Sequence, residues 1–208
     1  MGLTLDSTLS WKTHVDQFSS KLSSACYVIR SLKCVISTKN LRTICFSYVH
    51  SLIAYGILFW GNLLYSNNIF KVQKRAIRII MTVDNRVSCR ELFKKLNILP
   101  VQSQYILSLS LFVVKNIEEF ISNSEVHSIN TRHRSNLYPP SIRLSKYQKG
   151  VYDSGIKIFN HFLQNIKNLS WNTKKFKLVL KRFLLMGSFY TLDEHLDWIS
   201  RTRLGIFM

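Results

Sequence analysis

The sequence predicts a mostly α-helical fold, in which a helical bundle follows a short N-terminal strand and precedes a small C-terminal helical lobe. Two observations carry this prediction. Apolar residues recur every three or four positions over several long stretches, which is the period of one helix face. Alternation typical of a strand is confined to the opening GLTLD. With 208 residues, 47% of them hydrophobic, the chain is long enough to bury one core or two small ones.

The first predicted helix begins after the short strand of residues 1–10. Ser10 is its candidate N-cap. The apolar positions that follow form one stripe: Val15, Phe18, Leu22, Ala25, Ile29 and Leu32. A second helix, over about residues 41–59, is apolar on most sides and is therefore predicted to be central, ending near Gly56 or Gly61. A third helix is predicted over about residues 69–81.

The middle of the chain predicts two more helices and then a break. Residues 88–91, Ser-Cys-Arg-Glu, match a capping box at the start of a helix. Pro100 suits the first turn of a long helix that runs to about residue 120 and is apolar almost all round, hence buried. Residues 122–147 are polar, contain two consecutive prolines and follow neither period, which is typical of a linker.

Two shorter helices, at about residues 150–160 and 173–185, complete the predicted fold. The sequence therefore predicts five parts. They are a strand remnant (1–10), a helical domain (11–121), a linker (122–147), a small C-terminal helical unit (148–190) and a tail (191–208).

The charge of the chain indicates a polyanionic partner. Lys and Arg number 29 and Asp and Glu 11, which gives a net charge of +18 and an isoelectric point near 10.0. The excess is not a tail, because residues 1–99 hold 14 basic and 4 acidic side chains and residues 100–208 hold 15 and 7. Nucleic acid is the first class of partner that such a balance favours, and an anionic membrane is the second. A merely solvated surface is the alternative.

Two helical faces concentrate this charge. Within FKVQKRAIRII (70–80), four cations fall on one face at spacings of three, four and seven, and we call them the basic stripe: Lys71, Lys74, Arg75 and Arg78. No acidic residue lies in this stretch, so solvent or an external anion must relieve the repulsion among the four charges. The same pattern returns at Lys174, Lys177 and Lys181, which we call the lysine patch, opposite Phe176, Val179, Leu180 and Phe183. These seven residues are the candidate nucleic-acid contacts.

The residues that catalysis or metal binding needs are not grouped in this sequence. The acidic neighbours Glu118-Glu119 and Asp193-Glu194 are expected to be solvated. No glycine-rich phosphate loop and no nucleophile elbow occurs. Cys26, Cys34, Cys45 and Cys89 form no C-x-x-C pair, and Cys26 and Cys45 are expected to be buried thiols. The residues alone predict a binding protein without a cofactor or a small-molecule ligand, in a reducing intracellular setting and without a signal peptide.

A membrane-associated helical protein is an alternative reading. Residues 43–65 carry no charge over a length that spans a bilayer. The segment also contains several Ser, Tyr and Asn residues, a histidine and two glycines, and its basic flanks give no orientation bias. A buried core helix is therefore the favoured interpretation. Trp60 and Tyr65, just before the basic stripe, are either core residues or aromatic platforms on which a base stacks.

Several motifs in order along the chain give a more specific expectation. GLTLDSTLSWKTHV (2–15) resembles the closing palm segment of reverse transcriptases from jockey-like non-LTR retrotransposons. Further motifs of that family follow at compatible spacing: Tyr55-Gly56, Phe59-Trp60-Gly61, Gln73-Lys74-Arg75-Ala76-Ile77-Arg78, Leu92-Phe93, Leu99-Pro100, Asn130-Thr131-Arg132 and Phe189-Tyr190. The resemblance covers about residues 2–194.

The resemblance implies that this chain is the end of the palm, the helical thumb and the following extension of a reverse transcriptase. The parent activity is RNA-directed DNA synthesis with Mg²⁺, and the expected partners are RNA, DNA or an RNA–DNA hybrid. The upstream palm and fingers of the polymerase are a further candidate partner, and whether they act in trans stays open. The family's catalytic aspartates lie in an F/Y-x-D-D motif, which does not occur here. By this resemblance, Met1 is expected to be a start at an internal point of the family's coding sequence. The chain alone is expected to be inactive as a polymerase. Its expected location is the nucleus or the cytoplasm.

The chain also departs from the family pattern. The family's N-x-L-P corresponds to Asn160-His161-Phe162-Leu163, where the proline is missing, and Met81-Thr82 replace a glycine. Residues 198–208 match nothing in the family. These departures leave a non-functional, decayed copy of the element as a further alternative.

Overall fold

A computed structural model describes residues 2–4, 7, 10–127, 134 and 136–203, and over these residues the chain is mostly helical, as predicted. The strand predicted over residues 1–10 is wrong for residues 2–4, which form no regular structure, while Leu5 and Asp6 lie outside the described residues. A strand needs a partner, and none pairs with residues 2–4 in the described part of the chain. Residues 1–105 and 106–208 form two compact units.

Over its described residues, the first unit is built from six helices and a π-helical segment. They are α1 (Lys12–Leu32), α2 (Thr38–Ile44), the π-helical segment (Cys45–His50), α3 (Ser51–Ala54), α4 (Ile57–Trp60), α5 (Ser66–Met81) and α6 (Arg90–Leu96). A further helix, α7 (Val101–Lys115), begins at the end of this unit and is buried over most of its length, as predicted. Helices α1 and α5 make the most extensive helix–helix contact.

Helix α1 buries the apolar stripe that its sequence predicts, apart from Leu32, which is half-buried. Its start differs slightly from the prediction. The hydroxyl of Ser10 accepts a hydrogen bond from the backbone N–H of Lys12 at 3.3 Å, but the capping position itself is Trp11, in the left-handed conformation with φ of 59°. The Trp11 ring stacks on the Phe59 ring with centroids 5.7 Å apart, and this contact joins the start of α1 to α4.

The helix predicted over residues 41–59 is interrupted near its predicted end. The helical path from α2 through the π-helical segment and α3 stops at Ala54, Tyr55 is extended, and Gly56 adopts φ of +64°, which favours glycine. Helix α4 then follows. The indole N–H of Trp60 donates to the carbonyl of Tyr55 at 3.2 Å, so the break is closed by a specific hydrogen bond.

Helix α6 has the packed face that its sequence predicts but not the predicted cap. Leu92, Phe93 and Leu96 are buried. The capping box predicted at residues 88–91 is wrong, because the N-cap is Cys89 and no side chain of the described residues caps this helix. Glu91 instead forms an ion pair with Lys94 at 2.9 Å.

The second unit contains the rest of α7 and several further helices. They are a 3₁₀ turn (Ile117–Glu119), α8 (Asn123–Val126), α9 (Ser145–Gln148), α10 (Val151–His161), α11 (Gln164–Lys167), α12 (Thr173–Gly187) and α13 (Leu192–Arg203). The described part of the polar segment 122–147 is hydrogen-bonded into this unit, with the backbone N–H of Tyr138 donating to Ile121 at 2.8 Å. The predicted division into a thumb domain, a linker and a lobe stays a prediction.

The segment predicted as a tail, residues 191–208, differs from that expectation. Residues 192–203 form α13, and residues 204–208 lie outside the described residues. The hydroxyl of Thr191 accepts from the backbone N–H of Glu194 at 3.1 Å, and the Glu194 carboxylate accepts from the N–H of Tyr190 at 2.9 Å. These two reciprocal bonds resemble a capping box and start the helix, which then buries His195 and Ile199 completely.

No single helix in the described ranges is both long and apolar enough to cross a membrane. The segment 43–65 is divided among several short helices. Helices α6 and α7 are bent by 56° at the break between them. Taken together, this pair is long and apolar enough to cross a membrane, judged by length and composition only.

Candidate nucleic-acid interface

Helix α5 has the two-sided character that its sequence predicts. Lys71 and Arg75 are exposed, and Lys74 and Arg78 are half-buried, so no member of the basic stripe lies in the core. The opposite side is buried and consists of Ile69, Phe70, Val72, Gln73, Ala76, Ile77 and Ile80. The buried side fixes the helix in the first unit, which leaves the basic stripe at the surface as a rigid row.

Two members of the basic stripe lie on the side of α5 that faces α6 and the loop before it. The ammonium nitrogen of Lys74 lies 4.6 Å from the centre of the Phe70 ring, which stacks on Phe93 with centroids 6.3 Å apart. The Nε of Arg78 donates to the carbonyl of Val87 at 3.0 Å, which holds the loop after α5. Because a guanidinium has five N–H donors, this bond leaves Arg78 able to bind an anion as well.

Arg75 lies on the other flank of α5, beside α1. The thiol of Cys26 on α1 lies 3.7 Å from the carbonyl oxygen of Val72, three residues before Arg75. Burial raises the pKa of the Cys26 thiol, and the positive charges of Arg75 and Arg30 oppose that rise. Arg30 is exposed and was not among the sequence-predicted contacts, because it lies on a different helix from the basic stripe.

The lysine patch lies on α12 in the second unit. Lys181 is half-buried and the other two lysines are exposed. On the opposite side, Phe176 and Leu180 are buried as predicted and Phe183 is half-buried, whereas Val179 is 37% exposed, so its predicted place on the packed face is wrong. Asn172 is the N-cap of this helix, and its side-chain oxygen accepts a hydrogen bond from the backbone N–H of Lys175 at 3.0 Å.

The two aromatic residues before the basic stripe have different environments. Trp60 is completely buried, so it belongs to the core and cannot stack on a base. Tyr65 is 37% exposed at the N-terminal end of α5.

The two adjacent acidic pairs, at residues 118–119 and 193–194, do not form a shared site. Glu118 and Glu119 are exposed in the 3₁₀ turn, Asp193 is exposed, and Glu194 is used in the cap of α13. In the ranges that the structure describes, no group of three or more His, Cys, Asp or Glu side chains is placed to hold a metal ion. The motif at residues 130–132 lies outside the described residues.

Three of the four cysteines are buried, including Cys26 and Cys45 as predicted, and Cys34 is exposed. Burial raises the pKa of Cys45 to about 12, with a further contribution from the nearby Cys26 thiol and an opposing one from the Arg42 charge. Burial also raises the pKa of Cys89, which the charges of Arg78 and Lys74 oppose. None of these three thiols has the lowered pKa of a reactive cysteine.

Comparison with protein families, with curated proteins and with solved structures finds no match for this chain. The fold and the surface define a helical protein with two basic helical faces. The resemblance to reverse transcriptases therefore rests on the sequence motifs alone.

Proposed function

We propose that this chain binds the sugar–phosphate backbone of a nucleic-acid duplex through the basic stripe, as the thumb and extension of a reverse transcriptase of the jockey-like non-LTR type. In this role it holds the template–primer duplex and does not itself carry out polymerisation. One observation carries the proposal: four cations occupy one face of a helix whose other face is buried, and no acidic residue lies on that helix.

Backbone binding follows from the chemistry of the basic stripe. Each Lys or Arg that neutralises a phosphate releases a condensed counterion, so the logarithm of the affinity falls by roughly 0.9 per phosphate for each tenfold rise in salt. From Lys71 to Arg78 the stripe rises about 10 Å along the helix axis. Each strand of a duplex carries roughly one phosphate per 3.4 Å of axis, so a row of this length spans about three phosphates of one strand. Contacts of this kind hold a duplex without reading its sequence.

The family resemblance supports the choice of ligand. In that family the thumb follows the palm in the sequence and lies against the template–primer duplex. The motif at residues 73–78 lies on α5 and follows the palm motif at residues 2–15 in the same order. The palm and fingers would supply the catalytic aspartates and Mg²⁺, and the present chain contributes duplex binding. The lysine patch is a second contact surface in this proposal.

The test is binding of the purified chain to a fluorescently labelled RNA–DNA hybrid, followed by anisotropy between about 50 and about 200 mM salt. A stripe variant changes Lys71, Lys74, Arg75 and Arg78 to Gln, which retains helix propensity. A matched control changes four exposed lysines outside both basic surfaces, Lys12, Lys21, Lys115 and Lys149, to Gln, and therefore removes the same net charge. Circular dichroism and thermal unfolding check that each variant is folded, since Arg78 also holds Val87.

We expect the wild type to bind with a steep salt dependence and the stripe variant to lose roughly three to four units of the salt slope. The control should lose much less. Absence of binding by the folded wild type, or equal losses in the stripe variant and the control, would overturn the proposal. Binding to anionic vesicles but not to the hybrid would favour the membrane-associated alternative instead.

A further inference from the structure

The contact between α1 and α5 brings a second arginine next to the basic stripe. Cys26 on α1 contacts Val72 on α5 through its thiol, 3.7 Å from the carbonyl oxygen. Four residues after Cys26 comes Arg30, and three residues after Val72 comes Arg75. Residues three or four apart on a helix lie one above the other on the same side. Each arginine is therefore one turn further along its helix than the contact.

The order of two contacts indicates that α1 and the chain from α4 to α5 run in the same direction. Phe18 on α1 lies against Trp60, the last residue of α4, with ring centroids 5.7 Å apart. Cys26, later on α1, lies against Val72 on α5. Because the contacts progress in the same order, one turn further on α1 and one turn further on α5 reach the same level. The effect of both arginine charges on the Cys26 thiol agrees with this placement.

Both side chains are exposed, and the local charge is unbalanced. Helix α5 contains no acidic residue, and the only one on α1 is Asp16, fourteen residues before Arg30. Two guanidinium groups at one level of a helix pair repel each other in the absence of an anion. Guanidinium is planar and donates several N–H bonds in a fork that matches the oxygens of a phosphate group.

We propose that Arg30 and Arg75 together bind one phosphodiester group of the nucleic-acid strand, where α1 packs on α5. This inference rests on the proposed function and adds a contact from a helix outside the basic stripe. The phosphate is held from two sides by groups on two packed helices, so its position along the strand is fixed. Lys71, Lys74 and Arg78 then contact the neighbouring phosphates from α5 alone.

A double-mutant cycle on the RNA–DNA hybrid tests this proposal, with the variants Arg30→Gln, Arg75→Gln and the combination of both. Lys21→Gln is the matched control, since Lys21 is exposed on α1, nine residues before Arg30 and half a turn around the helix. We expect Arg30→Gln to reduce the salt slope by about one unit, so that its loss of affinity relative to the wild type is about threefold larger at about 50 than at about 200 mM salt. Lys21→Gln should leave the slope unchanged. Because both arginines hold one phosphate, the double variant should lose less than the sum of the two single losses.

The outcomes separate this inference from the proposed function. If Arg30→Gln binds like Lys21→Gln while the stripe variant is weakened, the shared phosphate is wrong and the proposed function stands. If the two single losses add fully, Arg30 and Arg75 contact different phosphates and the shared site is also wrong. If the wild type does not bind the hybrid, the proposed function fails first. Binding of phosphatidylserine vesicles that depends on Arg30, without binding of the hybrid, would assign the two arginines to a lipid headgroup and overturn the inference.

Discussion

The side-chain amide of Gln73 donates a hydrogen bond to the carbonyl oxygen of Leu99 at 2.9 Å, across the interior of the first unit. Its oxygen accepts the backbone N–H of Val101 at 3.0 Å. One buried amide thus satisfies the two backbone groups on either side of Pro100, where α7 begins and an N–H has no partner within the helix. Gln73 is 1% exposed and lies on the side of α5 opposite the basic stripe. It therefore fixes the helix that carries the candidate interface against the start of α7.

The change Gln73→Met tests this role. The side chain keeps its length but leaves two buried backbone groups without partners, and we expect a loss of about 2–4 kcal/mol in the free energy of unfolding. Urea unfolding followed by circular dichroism measures the loss. Gln17→Met, at an exposed position of α1, is the control and should change stability by less than about 0.5 kcal/mol. Equal stability of Gln73→Met and the wild type would show that this amide does not hold α7.

Asn160 performs a similar task in the second unit. Its side-chain oxygen accepts the backbone N–H of Leu137 at 2.9 Å, and its amide donates to the carbonyl of the same residue at 2.8 Å. The side chain therefore pairs with Leu137 as a neighbouring strand would, and it holds part of the polar segment 122–147 in place. The Lys167 ammonium reinforces the contact by donating to Asn136 at 2.9 Å and to the carbonyl of Asn160 at 2.8 Å.

We expect Asn160→Ala to release this segment and to speed tryptic cleavage after Arg134 or Arg143 several-fold. Both bonds to Leu137 are lost, and proteolysis follows the population of the locally opened form. Mass spectrometry of timed digests measures the rate at each site. Asn168→Ala removes an asparagine whose contact with Gln164 is exposed, and it serves as the control. Cleavage at the same rate in both variants would contradict the role of Asn160.

The sequence predicts those parts of the fold that depend on periodicity. The stripe of α1, with Phe18 and Leu22 among its buried residues, and the two sides of α5 follow from apolar residues at helical spacing, because such a face is stable only when it is buried. The exposure of the basic stripe is predictable for the same reason, since a helix with one buried face presents its cations on the other.

The sequence does not predict contacts that depend on distant backbone. The residues around Gln73 predict a buried helix face, and no pattern in the neighbouring sequence predicts that its amide hydrogen-bonds to residue 99. The same limit explains why the sequence does not single out Arg30, since its position relative to α5 depends on how α1 packs on α5. The helix at Leu192–Arg203 is missed because its cap at Thr191 and its buried His195 differ from an aliphatic stripe.

The four cysteines differ in exposure, which predicts how they react with a thiol reagent. Cys34 is exposed, and the other three are buried and have raised pKa values, so little thiolate is available at neutral pH. In the native chain we expect one thiol to react rapidly with Ellman's reagent and three more to react only after unfolding. Cys34→Ser should abolish the rapid phase, and a second rapid thiol in that variant would contradict the burial of the others.

His195 on α13 is completely buried among aromatic rings. Its ring makes edge-to-face contacts with Phe162, Phe183 and Phe189, at centroid distances of 5.9, 6.1 and 5.0 Å. Among the residues that the structure describes, neither ring nitrogen has a hydrogen-bond partner. Burial lowers the pKa of His195 to about 4, and the nearby His161 contributes in the same direction. The imidazole is therefore neutral in the folded chain at neutral pH.

This lowered pKa predicts that acid weakens the second unit. The unfolded chain takes up the His195 proton near its ordinary pKa of 6.5, whereas the folded chain takes it up only near 4. Between these values the unfolded state binds more protons, so stability is full above about pH 6.5 and falls by up to ~3 kcal/mol as the pH drops to about 4. His195→Leu removes this titration, and urea unfolding of both proteins between about pH 7 and about pH 4 should show a smaller acid-induced loss in the variant. The other titrating groups act equally in both proteins, so parallel pH profiles would show that folding does not lower the pKa of His195 and would contradict the prediction.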